Sequence, residues 1–135
     1  MNTEQEISKD LSVLVVDDIP SARKVVLRML TSLGFKNLQE ASSAAEARQK
    51  MQVLDVKLVI VDLHLKDALG TDLMGPPHPD NPAFVIITSD MDKSSFQRAL
   101  EIGAVHYLLK PFSPASLIEK IACALAPPEE AAQAV

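Results

Sequence analysis

Val13-Leu14-Val15-Val16-Asp17-Asp18 is the stretch that decides the fold. Four consecutive apolar residues leave no alternation between faces, which is the pattern of a strand covered on both sides, and such strands belong to parallel sheets flanked by helices. The same design returns three times: Leu58-Val59-Ile60-Val61 ahead of Asp62, Phe84-Val85-Ile86-Ile87 ahead of Thr88, and residues 105–109 ahead of Lys110. Helix-period segments run between these strands. Ala22, Val25, Val26, Met29, Leu30 and Leu33 recur at helical spacing, with Pro20 near the start and Gly34 at the end, both favourable positions. Residues 38–41 form a weaker strand. Ser42 or Ser43 is placed to cap a helix reaching about Gln52, with Glu46 at capping-box distance from Ser43. Thr71-Asp72-Leu73-Met74 starts a helix that the Pro-rich residues 75–82 cannot continue, so at most a turn or two is expected there. Residues 93–102 read as a helix ended by Gly103, and Leu117, Ile118, Ile121, Ala122 and Leu125 give the last helix its apolar face.

Strands alternating with helices predict an α/β domain with a parallel sheet. The simplest arrangement is a flavodoxin-like (βα)5 fold with strand order 2-1-3-4-5 and a truncated third helix. Residues 1–10 are expected to be an N-terminal extension, 11–126 the domain, and 127–135, which begin Pro127-Pro128, a disordered tail. A chain of 135 residues that is 47% hydrophobic suits one domain with one core. The single Cys123 excludes an intrachain disulfide and fits a reducing compartment. A net charge of −5 argues against nonspecific binding to nucleic acid. The polar, acidic opening Met1-Asn2-Thr3-Glu4 is unlike a signal peptide. No apolar run approaches the roughly 18 residues of a membrane span. The expectation is a cytoplasmic protein.

In an open parallel sheet, ligands bind beyond the C-terminal strand ends, where strand order reverses. Asp17, Asp18, Asp62, Thr88 and Lys110 all lie there. Crowded carboxylates repel one another unless a cation intervenes, and hard oxygen donors that leave room for water and a phosphate oxygen suit Mg2+. A carboxylate can be the nucleophile in phosphoryl transfer, a hydroxyl can donate to one phosphoryl oxygen, and an ammonium can pair with another. Taken singly, each residue has a plainer reading. An Asp at a strand end is often a turn former, and Asp18 is placed to cap the first helix. Lys110 and Thr88 are common fillers of loops and strand termini. The methionines suit packing, and His64, His78 and His106 have no zinc-ligand spacing. The convergence of five residues on one edge outweighs these readings.

Those same residues carry a family resemblance. Val15-Val16-Asp17-Asp18 with Arg23, Val59-Ile60-Val61-Asp62 with Gly70, Ile86-Ile87-Thr88-Ser89 and Lys110-Pro111-Phe112 occur in the order found in the CheY-like receiver domains of two-component response regulators. The resemblance covers residues 11–125. It implies a signalling protein that catalyses only its own phosphorylation and autodephosphorylation. Asp62 would be the phosphoacceptor. Asp17, Asp18, Asp62 and the backbone carbonyl of His64 would hold Mg2+. Thr88 and Lys110 would bind the phosphoryl group, Thr88 and Tyr107 would form the switch pair, and His64 with Asp90 would tune dephosphorylation.

The donor would be a sensor histidine kinase or phosphotransfer protein, docking near Ile19, Pro20 and Arg23. A downstream protein would be reached through the face of the fourth helix, fifth strand and fifth helix, including Lys93, Phe96, Tyr107 and residues 113–120. A phosphorylation-linked dimer is compatible with this reading. Two features depart from the family pattern: Lys66 replaces a frequent proline, which suggests a looser acceptor loop, and the interval from Asp62 to Thr88 is a few residues short.

Other readings have less support. The chain can be read as the receiver of a longer regulator, or as a receiver-fold adaptor that works without phosphorylation. A phosphohydrolase with an aspartate nucleophile would carry Asp-x-Asp after the first strand, where this chain has Asp17-Asp18. An FMN binder would need a Ser/Thr/Gly-rich phosphate loop, whereas Asp17-Asp18-Ile19-Pro20 would repel a phosphate.

Overall fold

The computed structural model describes residues 7–75, 80–89 and 106–126. Five parallel strands, β1 (Ser12–Val16), β2 (Asn37–Ala41), β3 (Leu58–Asp62), β4 (Ala83–Thr88) and β5 (Tyr107–Leu109), form one sheet in the order β2-β1-β3-β4-β5. Register is continuous across it: Val16 pairs with Ala41 and Val61, Asp62 with Ile87, and Thr88 with Leu109. The order reverses between β1 and β3, as the alternating pattern predicts.

Successive side chains of a strand point to opposite faces, so the apolar runs divide into two cores. On one face Val13, Val15, Leu58, Ile60, Val85, Ile87 and Leu108 meet α1 (Pro20–Ser32) and α3 (Pro114–Leu125) through Val26, Leu30, Leu117 and Ile121. On the other, Leu14, Val16, Val59, Val61, Phe84 and Ile86 meet α2 (Ala44–Val53) through Ala44 and Ala47. The small alanines let α2 approach the sheet closely. The edge strand β2 is more exposed and more polar, which explains its weak signal in the sequence.

Helix ends follow local chemistry. Pro20 opens α1 at a position that needs no backbone N–H bond. Gly34 follows α1 with φ 100°, a left-handed conformation in which a side chain would be strained. Ser43 caps α2 by accepting from the Glu46 N–H at 3.1 Å. The return half of the capping box falls one residue earlier than the spacing suggests: Glu46 Oε1 accepts from the Ser42 N–H at 2.7 Å and the Ser42 hydroxyl at 2.9 Å. Ser113 caps α3 in the same manner as Ser43, with Pro114 behind it.

The truncated third helix is a single 3₁₀ turn over Gly70–Leu73. The fifth strand is shorter than expected, Tyr107–Leu109, though the His106 carbonyl still accepts from the Ile86 N–H at 2.9 Å. The expected helix at 93–102 and tail at 127–135 lie outside the described residues, as do Asp90, Lys93 and Phe96. Just ahead of the sheet, Ile7 and Leu11 pack against the α1/α3 core, and the Lys9 ammonium sits 4.7 Å from the Phe35 ring centre while donating to the Leu33 carbonyl at 2.9 Å. Among the described residues no helix is long and apolar enough to cross a membrane.

Candidate functional site

The C-terminal ends of β1, β3, β4 and β5 bring Asp17, Asp62, Thr88 and Lys110 to one edge of the sheet. Asp17 is only 3% exposed. Its backbone N–H donates to the Ala41 carbonyl at 3.1 Å, and its Oδ1 accepts from the Ile19 N–H at 2.9 Å. Asp62 ends β3 half-buried, with Oδ1 accepting from the His64 N–H at 2.9 Å. Lys110 joins the two carboxylates: its Nζ lies 3.0 Å from Asp62 Oδ2 and 3.6 Å from Asp17 Oδ2. Lys110 is held from behind, because its backbone N–H donates to the Thr88 carbonyl at 2.8 Å.

The electrostatics of this edge are strained. Burial pushes the Asp17 carboxyl above the usual aspartate range; the bond from Ile19 opposes this, the charges of Asp62 and Asp18 add to it, and Lys110 opposes it. Burial also works against the Lys110 ammonium, yet Asp62 and Asp17 together hold its pKa above the ordinary lysine value. Asp18 is half-buried beside them. It does not cap the first helix: the N-cap of α1 is Ile19, which makes no side-chain cap bond.

These oxygens fit Mg2+ in kind and in charge, with two carboxylates already aimed at a single cation. The neutralising charge in this arrangement is the ammonium. Among the described residues no three His, Cys, Asp or Glu side chains are gathered closely enough to hold a metal.

Thr88 is buried at the end of β4. Tyr107 pairs with Ile86, one same-face step before the Thr88–Leu109 pair, so Thr88 and Tyr107 share a face of the sheet. Tyr107 is half-buried, and that burial raises its hydroxyl pKa. Gly70 is packed beneath the end of β3: its N–H donates to the Leu63 carbonyl at 2.7 Å, and a Cβ there would collide with the Asp62 carbonyl oxygen.

Two residues do work that the sequence does not reveal. Arg23, expected to face a docking kinase, turns inward instead. Its Nη1 donates to the Asp17 carbonyl at 2.6 Å and its Nε to Glu40 Oε1 at 2.8 Å, while Ile19 and Pro20 stay exposed. Asp67, in the loop after β3, accepts from the Ala44 and Ala45 N–H groups at 2.9 and 3.0 Å, at the start of α2.

The family model for the response regulator receiver domain matches residues 13–122. The chain belongs to this family. It is 32% identical over 116 residues to chemotaxis protein CheY1 of Helicobacter pylori, covering 82% of this chain and 94% of that one. Chemotaxis protein CheY-3 of Vibrio cholerae is 30% identical over 122 residues, with 87% and 94% covered. Among solved structures, the signal receiver domain of an HD domain-containing protein from Pseudomonas fluorescens superposes with a TM-score of 0.76 at 26% identity, over 86% of this chain and 94% of that one. The receiver domain of the response regulator Ssk1 of Saccharomyces cerevisiae, crystallised with the histidine phosphotransfer protein Ypd1, shares the fold at 19% identity, with a TM-score of 0.71 over 88% of this chain and 91% of that one. This receiver domain is a signalling module of two-component type rather than a classical enzyme.

Proposed function

We propose that this receiver domain accepts a phosphoryl group onto Asp62 from a phosphohistidine of a sensor histidine kinase or phosphotransfer protein, in a Mg2+-dependent reaction, and thereby switches a protein-binding surface. The observation that carries the reading is the bridge from one ammonium, Lys110, to two carboxylates, Asp62 and Asp17. It gives a nucleophile and a fixed positive charge at the same edge. An Asp62 oxygen attacks phosphorus as the P–N bond to the donor imidazole breaks. The electron pair returns to the ring nitrogen, and the product is an acyl phosphate. Lys110 exchanges its carboxylate partner for a phosphoryl oxygen, and the Thr88 hydroxyl donates to another. Attack of water on phosphorus later releases inorganic phosphate and restores the carboxylate, with His64 and Asp90 tuning its rate.

Asp17, Asp18, Asp62 and the His64 carbonyl would hold Mg2+, which would supply positive charge for the phosphoryl oxygens. The movement of Thr88 biases Tyr107 on the same face, which carries the change toward β5 and α3 and the downstream partner docked there. The donor docks at the exposed Ile19 and Pro20 beside the pocket. A cytoplasmic location and a domain spanning residues 11–126 complete this reading.

One observation favours a second reading. Lys110 already neutralises the pocket, as it would in an adaptor that works without phosphorylation. Beryllofluoride, which mimics the acyl phosphate, separates the two. Amide shifts at Asp62, Thr88, Tyr107 and Lys110 that require both Mg2+ and beryllofluoride are expected for the receiver. Their absence would favour the adaptor.

A further inference from the structure

Asp67 belongs to none of the roles assigned above, yet it joins two loops that carry the site. Three connections meet at the C-terminal edge of the sheet. The loop after β1 carries Asp17 and Asp18. The loop after β2 runs from Ala41 through Ser43 into α2. The loop after β3 runs from Asp62 through His64 to Gly70. The first two are joined by the bond from Asp17 N–H to the Ala41 carbonyl, and again by Arg23, which spans the Asp17 carbonyl and Glu40. The third is tied to the second by Asp67, whose two carboxylate oxygens accept from Ala44 and Ala45. Within its own loop, Leu65 N–H donates to the Ala68 carbonyl at 3.1 Å, and His64 bridges to Leu69. The segment between Asp62 and Gly70 is therefore a small closed unit, and Asp67 fastens it to α2.

We propose that Asp67 is a positioning residue for phosphoryl transfer at Asp62: its clasp on the start of α2 fixes the acceptor loop, and with it the His64 backbone, relative to Asp17. The inference rests on Asp62 being the acceptor. A carboxylate suits the task because two adjacent N–H groups at a helix start favour an anionic acceptor. Those two bonds draw its pKa below the usual aspartate value. Lys66 leaves φ free where a proline would restrain it. Beside the bond from the Leu63 N–H to the Ile87 carbonyl at the start of the loop, the clasp is a restraint that ties its far part to a neighbouring element. Phosphoryl transfer depends on placement, and supporting contacts of this kind change rates by about 10–100-fold.

The test compares the full chain with D67A and D67N, using acetyl phosphate as donor at saturating Mg2+. D67A is expected to lower the maximal uptake rate about tenfold, with little change in the acetyl phosphate KM and with a melting temperature that leaves the domain folded throughout the assay. D67N, which keeps one acceptor oxygen for Ala44, is expected to recover part of the rate. In both variants the Ala44 and Ala45 amide resonances should move in the metal-free protein, a readout independent of activity. Wild-type rates in D67A, with those two amides displaced, would overturn the positioning role while leaving the acceptor assignment intact. A wild-type protein that takes up no phosphate would overturn both.

Discussion

At the edge of the sheet two carboxylates sit in contrasting surroundings. Asp17 is buried beside Asp62 and Asp18, and its pKa is driven up. Asp67 is exposed, grips two backbone N–H groups and has its pKa drawn down. One region is held together against its own charge by a single ammonium; the other is electrostatically content. A protein selected for stability alone would have no reason to bury Asp17 among like charges. On the proposed function the unfavourable arrangement is where a ligand of opposite charge would be received, and on the proposed role of Asp67 the favourable one would keep that arrangement in place.

The largest expected effect falls on the strained region. Asp62→Asn keeps the shape and removes the nucleophile, so phosphate uptake from acetyl phosphate should vanish while the fold persists by circular dichroism. Residual acyl phosphate in that variant would mean the acceptor lies elsewhere. Gly70→Ala comes next: the added Cβ meets the Asp62 carbonyl, and overpacking of this kind costs about 3 kcal/mol, measurable by urea unfolding. An unchanged midpoint would show that the acceptor loop is looser than its contacts imply.

Lys110→Ala leaves two carboxylates without their counter-charge and should cost about 2 kcal/mol in the absence of metal. It should also reduce beryllofluoride-induced shifts at Tyr107 more than it reduces Mg2+ affinity. Equal losses in both would undercut its role at the phosphoryl group.

Asp17→Asn sharpens the contrast with the opposite sign. The raised pKa of Asp17 means that the folded chain binds this proton more tightly than the unfolded one. Its contribution to stability is therefore present below the unfolded value of 3.8 and is lost as pH rises through the folded value. Removing the charge should stabilise the metal-free protein at neutral pH by on the order of 1 kcal/mol. The advantage should shrink as pH falls through the raised folded value and be gone by about the unfolded value of 3.8. Asp67 behaves in reverse: its contribution is present above its unfolded value and lost as pH falls through its lowered one. A pH-independent gain from Asp17→Asn would contradict the strained description.

Most of the sheet could be read from the chain because buried parallel strands write themselves as unbroken apolar runs. The residues following those runs, Asp17, Asp62, Thr88 and Lys110, were legible for the same reason: the topology places strand ends together. The truncated third helix was visible in its prolines. What escaped was tertiary polar chemistry. Asp67 caps a helix whose first residue lies 23 positions earlier in the chain, and no periodicity carries that information. Arg23 was visible as a signature residue, but its inward turn depends on the Asp17 carbonyl being presented to it by the folded loop. Glu46 was placed correctly, and only the fold decided that Ser42 rather than Ser43 supplies the N–H it accepts from.

The most direct measurement is to trap the modified residue. The full chain is incubated with acetyl phosphate and Mg2+, reduced with borohydride, digested and sequenced by mass spectrometry. Acyl phosphate on Asp62 is converted to homoserine at position 62, in a yield that depends on Mg2+, and that is the expected product. Homoserine at position 17 or 18, or none at any position under conditions where a known receiver domain is modified, would contradict the assignment of Asp62 as the phosphoacceptor.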